Sequence, residues 1–271
     1  MLIDAHNHLQ DEWLLPHRSA VLRDLDSVAL SRAVVNGTTE ADWPEVAALA
    51  QQHSWVLPSY GLHPWFIAAR TPHWRERLIE FLDRGHCAVG EIGLDRWIKA
   101  YDFEDQKRVF IAQLDLASER NLPVTIHCLK AWGALLEILR TRPVPERGFL
   151  LHAYGGPAEM VNDFVKLGAY FSFSGYFLHE KKAERRETFR LIPADRLLVE
   201  TDAPAMPLPP ERTRWPLPNA PDGTAINHPA NIVSVYEGLA EIRNGTVEAL
   251  TVQIAENFQR LFGKERQAKA G

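Results

Sequence analysis

Cysteine is almost missing from this chain. Two in 271 residues, Cys87 and Cys128, cannot build a disulfide framework, so a reducing, cytoplasmic setting is expected. No apolar run approaches the roughly 18 residues that a membrane-spanning helix needs. Met1-Leu2-Ile3-Asp4 has neither the basic start nor the apolar stretch of a secretory signal. No glycine-rich phosphate loop follows the first predicted strand, which argues against an open dinucleotide-binding sheet. Positive charge is not in surplus either: 30 basic against 35 acidic residues give a net charge of −5, which offers a polyanion no global attraction. Hydrophobic residues at 46 % exclude a disordered chain. Histidine is what abounds, 11 residues against the two cysteines, and histidine is the commonest metal ligand.

Short apolar runs rich in β-branched residues alternate with longer segments of helical spacing. The predicted strands are 2–5, 33–36, 56–60, 88–92, 124–127, 149–152, 170–174 and 197–201. Most are apolar on both faces, as parallel strands buried on each side should be. Between the fourth and fifth, Phe103, Phe110, Leu114 and Ala117 share a helix face opposite Glu104, Asp105, Lys107 and Arg108. The last helix carries Val247, Leu250, Ile254, Phe258 and Leu261, with Thr246 as its predicted N-cap. Eight strands separated by helices predict an α/β fold, a (β/α)₈ barrel of the TIM type. It forms one domain over residues 1–271, with its active site at the C-terminal ends of the strands. Residues 204–221 hold seven of the 18 prolines, so a long proline-rich loop is expected at about 203–229.

Chemistry-bearing residues keep step with the strand ends. The first strand runs into Asp4-Ala5-His6-Asn7-His8, where i and i+2 point to one side, so His6 and His8 can share a metal. Glu91 sits in the fourth strand between glycines, His127 ends the fifth, His152 the sixth, and Asp202 follows the eighth. In a barrel these ends meet around one mouth. Glu91 is the most telling, because an apolar strand has no structural need for a buried carboxylate, and an unpaired buried charge is costly.

These residues lie in motifs that resemble the TatD family of metal-dependent deoxyribonucleases and hydrolases, within the amidohydrolase-like barrels. They are Asp4-Ala5-His6-Asn7-His8, Gly61-Leu62-His63-Pro64, Gly90-Glu91-Ile92-Gly93-Leu94-Asp95, Leu122-Pro123-Val124-Thr125-Ile126-His127, His152-Ala153-Tyr154-Gly155-Gly156, Phe171-Ser172-Phe173-Ser174-Gly175, Glu200-Thr201-Asp202-Ala203-Pro204 and Glu256-Asn257-Phe258, in family order over about residues 3–263. The resemblance implies two divalent ions, with zinc favoured and manganese, magnesium or nickel compatible. His6, His8 and Asp202 would hold one, His127 and His152 the other, with Glu91 bridging. It also implies Asp202 as general base, His63 as a contact to the scissile group and Asp95 as a second-layer or substrate-positioning carboxylate. Two divalent ions against two carboxylates leave a positive centre suited to an anionic phosphate.

The implied activity is phosphodiester hydrolysis by a metal-activated water, with a DNA strand end, attacked from the 3′ side, as substrate. Departures from the family pattern fall where substrate should bind. His127-Cys128-Leu129-Lys130 lacks the arginine usual two residues after the histidine, and Lys130 is the nearest replacement, without a bidentate fork. Trp65, Trp97, Trp132, Tyr154 and Trp215 lie in or beside mouth-facing loops and are candidates to stack a base. His228 is expected at the same mouth. Lys181, Lys182, Arg185 and Arg186, interrupted by glutamates, read as a solvated helix face. Hydrolysis of an ester, lactone or amide, including an aminoacyl-tRNA ester, is the alternative activity, and a non-catalytic metal-stabilised binding protein the second alternative. A monomer is expected, with no obligate protein partner and no membrane association.

Overall fold

Eight strands pair edge to edge in the order in which the chain makes them. The computed structural model describes residues 1–99 and 102–264. Strands β1 (Leu2–Asn7), β2 (Leu30–Asn36), β3 (Val56–Tyr60), β4 (Ala88–Asp95), β5 (Val124–Leu129), β6 (Phe149–Leu151), β7 (Ala169–Ser174) and β8 (Leu197–Glu200) form one parallel sheet. Parallel neighbours need a crossover, here α1 (Arg18–Ser27), α2 (Trp43–Gln52), α3 (Trp74–Leu82), α4 (Phe103–Glu119), α5 (Trp132–Thr141), α6 (Val161–Lys166) and α7 (Ala183–Leu191) in turn. Helices α8 (Ile232–Ile242) and α9 (Val247–Phe262) follow β8. This is the (β/α)₈ barrel that the alternation of runs predicts.

The core lies between the sheet and the helices. On α4, Phe110, Leu114 and Ala117 are buried and Phe103 packs at their edge, while Asp102 caps the helix by accepting the Asp105 N–H at 2.9 Å. Burying a side chain the size of Phe110 or Leu114 stabilises by about 1.5–3 kcal/mol. Thr246 caps α9 as its sequence predicts, accepting from the Ala249 N–H.

The seam between β8 and β1 is closed by groups at the strand ends. Asp202 N–H donates to His6 O at 3.0 Å and His8 N–H to Ala203 O at 2.8 Å. The Asp4 carboxylate accepts from Thr201 N at 3.0 Å and Thr201 Oγ1 at 2.6 Å. Register shifts fall between Asp4 and Asn7 on β1 and between Val89 and Ile92 on β4, the stretches that contain His6 and Glu91. Irregularities of this kind re-aim side chains beside active sites.

The proline-rich loop runs from β8 to α8, broken only by short turns at Pro210–Arg212 and Pro229–Asn231. Two asparagines tie it down. Asn227 Nδ2 donates to Thr201 O, and the Asn231 amide accepts from Trp215 N while donating to Trp215 O. Among the described residues no helix is long and apolar enough to cross a membrane.

Candidate metal centre

Period-two geometry decides which side chains enter the barrel. Asp4 and His6 on β1 and Glu91, Gly93 and Asp95 on β4 share a parity, and β5 delivers Thr125 and His127 in the same way. Past the strand ends, backbone in the left-handed region re-aims the chain at Lys130 (φ 55°), Ala153 (φ 40°) and Asp202 (φ 53°). The outcome is a cluster of His6, His8, Glu91, His127, His152 and Asp202, buried throughout except for a partly exposed His8.

The donor atoms fall into two groups around Glu91. His6 Nε2 and His8 Nε2 lie 3.1 Å apart, at 3.5 and 3.3 Å from Glu91 Oε2 and each 3.4 Å from Asp202 Oδ1. Zinc bonds of about 2.0–2.2 Å place tetrahedral donors about 3.3–3.6 Å apart, so His6 and His8 have shell spacing to Glu91 on one side and to Asp202 on the other. His6, His8 and Glu91 form one group able to hold an ion, and Asp202 also groups with His6 and His152. On the other side, Glu91 Oε1 is 3.1 Å from His127 Nδ1 and 2.8 Å from His152 Nε2, which are 3.1 Å from each other. The first group has four donors and the second three.

In His8 and His127 the partner of the far nitrogen shows what the near one offers. His8 Nδ1 is 2.8 Å from Asn36 O, so it carries the proton and Nε2 presents a lone pair. His127 Nε2 donates to Asp95 Oδ2 at 2.9 Å, which turns a lone pair on Nδ1 toward Glu91. His152 Nδ1 lies 3.5 Å from Glu200 Oε1. Lone pairs facing carboxylate oxygens repel unless a cation lies between them, and imidazole with carboxylate suits zinc and its neighbours. The residues therefore fit divalent cations.

The same geometry sets the acidities. With no cation bound, burial disfavours the charged rings of His8 and His152, yet the carboxylates they face outweigh it and lift both well above the ordinary imidazole value, so a proton takes the place between ring and carboxylate that a cation would fill. Burial likewise opposes ionisation of Glu91 and Asp202, and the surrounding histidines overcome it and hold both below the usual carboxylate range. Such shifts cluster at functional sites.

His63 joins the cluster on different terms. Its Nδ1 accepts the Trp65 N–H at 3.2 Å, so the proton sits on Nε2, 3.4 Å from Glu91 Oε1. Burial is the largest influence on it and pulls its pKa down to about 4, so the ring is a neutral N–H donor at pH 7.

Of the two roles that the resemblance implies for Asp95, the geometry fits the carboxylate behind a candidate ligand: it is fully buried with both oxygens engaged, Oδ2 by His127 and Trp65 and Oδ1 by the Trp97 N–H. Other sequence expectations need correction. Tyr154 is also fully buried, its ring edge-on to Trp132, Phe164 and Phe171 and its hydroxyl donating to Pro157 O, so it packs the core and stacks no base. His228 turns away from the mouth to Asp24 of α1, 3.2 Å from its carboxylate. Lys130 is exposed beyond β5, with Nζ 4.8 Å from the Trp97 ring centre. In the basic stretch, Arg185 and Arg186 bind loop carbonyls. Glu200 is a further buried carboxylate behind the centre, 3.5 Å from His152 Nδ1. It is fully buried in an apolar strand, the same signal that singles out Glu91, and its Oε2 accepts from Ser172 Oγ.

A parallel barrel whose mouth gathers imidazoles and carboxylates around one shared glutamate has the design of a metal-dependent hydrolase. Comparison with known proteins gives the family. The family model described as TatD related DNase matches residues 3–263. The 3′-5′ ssDNA/RNA exonuclease TatD of Escherichia coli strain K12 is 31 % identical over 264 residues, covering 97 % of this chain and 99 % of that protein. The uncharacterized metal-dependent hydrolase YabD of Bacillus subtilis strain 168 is 29 % identical over 266 residues, with 97 % and 99 % covered. The crystal structure of the TatD homolog YjjV from Escherichia coli K12 superposes with a TM-score of 0.87 at 27 % identity, over 97 % of this chain and 98 % of the other. The chain belongs to the TatD family of metal-dependent hydrolases.

Proposed function

We propose that this protein is a binuclear metal-dependent phosphodiesterase acting on single-stranded nucleic acid from an end. One observation carries the reading: Glu91 turns one oxygen to a four-donor group and the other to a three-donor group. A purely structural zinc site closes with four protein ligands, whereas a catalytic one keeps a position open, as three donors do. Divalent cations held there would supply Lewis acidity, activating water near neutral pH and offsetting charge on phosphate oxygens.

The chain's own groups have separate tasks. His6, His8 and Asp202 would hold one cation and His127 and His152 the other, with Glu91 offering an oxygen to each group. Asp202 stays ionised because His6 and His8 outweigh its burial, and it takes the proton from the attacking water. The water oxygen bonds to phosphorus as the bond to the leaving oxygen breaks, and Asp202 returns the proton to that oxygen. His63 Nε2–H donates to a phosphate oxygen arriving beside Glu91. Two free, buried thiols suit a cytoplasmic setting.

The test is metal content per chain with a substrate screen. Near two equivalents in the wild type, falling toward one in His152→Ala, with cleavage of single-stranded DNA, RNA or bis(4-nitrophenyl) phosphate, supports the reading. Hydrolysis of carboxyl esters alone moves the activity to the ester class. An Asp202→Asn protein that keeps both its metal and its full cellular function points to a binding role.

A further inference from the structure

Among the described residues, the exposed large apolar side chains include three aromatic rings, Trp65, Phe66 and Trp97, 50 %, 40 % and 64 % exposed, and all three follow β3 or β4 at the mouth. Phe66 meets the His63 ring at 5.9 Å between centres, but of the three Trp65 is the one whose side chain hydrogen-bonds a carboxylate behind the metal centre. Its indole Nε1–H donates to Asp95 Oδ2 at 2.6 Å, the same oxygen that accepts from His127. Its ring stands edge-on to His63 at 5.2 Å and to His127 at 6.3 Å between centres. An indole whose one polar hydrogen is spent on a buried carboxylate is fixed in orientation. Half of its surface stays open to solvent, one ring away from the donors of the proposed cations.

We propose that Trp65 is the stacking platform for an unpaired terminal base of a single-stranded nucleic acid, held there by Asp95 so that the adjoining phosphate meets His63 and Glu91. Arg96, Lys99 and Lys130 are exposed on the same β4 and β5 ends, where a polyanionic backbone would pass. Lys130 Nζ also lies over Trp97, the next ring along this rim. An aromatic face accepts every base, so the platform selects for unpaired ends without reading sequence. The inference rests on the phosphodiesterase reading and names where its substrate is gripped.

The test is a binding cycle that does not depend on turnover. Anisotropy is measured with a cleavage-resistant phosphorothioate thymidine octamer and with the same octamer lacking its terminal base at one end or the other. Stacking on an aromatic ring is worth about 1–3 kcal/mol per base, so removing the correct base should weaken binding to the wild type about 5- to 150-fold. In Trp65→Ala that penalty should shrink below about twofold. In Trp65→Phe, which keeps a ring but loses the bond to Asp95, most of it should persist. Equal penalties in the wild type and Trp65→Ala overturn the platform, as does failure of the wild type to bind the intact octamer. A protein that cleaves bis(4-nitrophenyl) phosphate yet shows equal penalties loses only the platform. One that binds as expected but cleaves no phosphodiester loses the catalytic reading instead.

Discussion

Asp4 closes the barrel onto Thr201. Its two oxygens accept the Thr201 N–H and Oγ1–H at 3.0 and 2.6 Å, across the seam between the first strand and the end of the last. Asn7 Nδ2 donates to Asp4 at 3.0 Å as well. Burial pushes the Asp4 carboxyl up to about 6 even though these donors work against it. His6 and Asp202 flank the bonded pair, so the seam and the candidate ligands are held by the same contacts.

Asp4→Ala strands several buried donors at once, each costing about 1–3 kcal/mol when unmet. The expected result is a loss of several kcal/mol in urea denaturation together with reduced metal content. The cost should be smaller when Thr201 is already Val, since the two residues share one interaction. Equal costs in both backgrounds would mean that the seam is closed by the backbone bonds alone.

The carboxylates behind the histidines form a second group of targets. Asp95 accepts from His127 Nε2, and Glu200 lies behind His152 Nδ1. Removing an outer partner of a metal-bound histidine typically lowers metal affinity about 10- to 100-fold. Asp95→Asn should therefore lose one equivalent of metal to a chelator well before the wild type does, and Glu200→Gln should behave alike. Chelator competition followed by metal analysis reads this directly. A variant that holds both equivalents as tightly as the wild type would remove that carboxylate from the centre.

Much of this arrangement was readable from the sequence because barrel geometry converts chain position into space. Ligands at strand ends must converge, so His6, Glu91, His127, His152 and Asp202 could be grouped with no knowledge of contacts. The supporting residues were harder to place. Asp95 lies one i+2 step from Gly93 and two from Glu91, so its parity was plain. Whether its oxygens face substrate or protein depends on Trp65 and Trp97, whose loop conformation no periodicity encodes. Tyr154 follows a candidate ligand histidine by two residues, yet the left-handed backbone at Ala153 turns its ring into the core. His228 needed the course of the proline-rich loop, which its asparagine ties determine. Glu200 was within reach, since the reasoning applied to Glu91 covers any carboxylate buried in an apolar strand.

Gly93 shows how closely β4 and β5 approach at the centre. A Cβ there would lie 1.9 Å from His127 O and 2.8 Å from its carbonyl carbon, backbone atoms that cannot swing aside. Gly93→Ala should cost about 1–3 kcal/mol or more through overpacking and should shift His127 enough to lower metal content. Gly133 on α5 meets nothing within 4 Å, so Gly133→Ala serves as control and should be neutral or slightly stabilising. Thermal denaturation with metal analysis of both proteins compares them. Equal behaviour of the two would mean that the strands separate at little cost.

The acid limb of the stability curve should carry a contribution from His228, away from the metal centre. Its Nδ1 accepts the Ala230 N–H at 3.0 Å, and its Nε2 faces Asp24 at 3.2 Å. Protonation must occur on Nδ1, where it would break the bond to Ala230. Burial is the main cause of its lowered pKa, with Asp24 working in the opposite direction. A depressed folded-state pKa favours the neutral ring. Its stabilisation is complete above the ordinary value of 6.5 and is lost as pH falls through the lower folded value. His228→Asn keeps an acceptor for Ala230 and a donor for Asp24 but does not titrate. Its stability, followed by urea denaturation across this range, should fall less steeply with acid than that of the wild type. Parallel curves would show that His228 takes up no proton on unfolding, and a steeper curve in the variant would reverse the sign assigned to its burial.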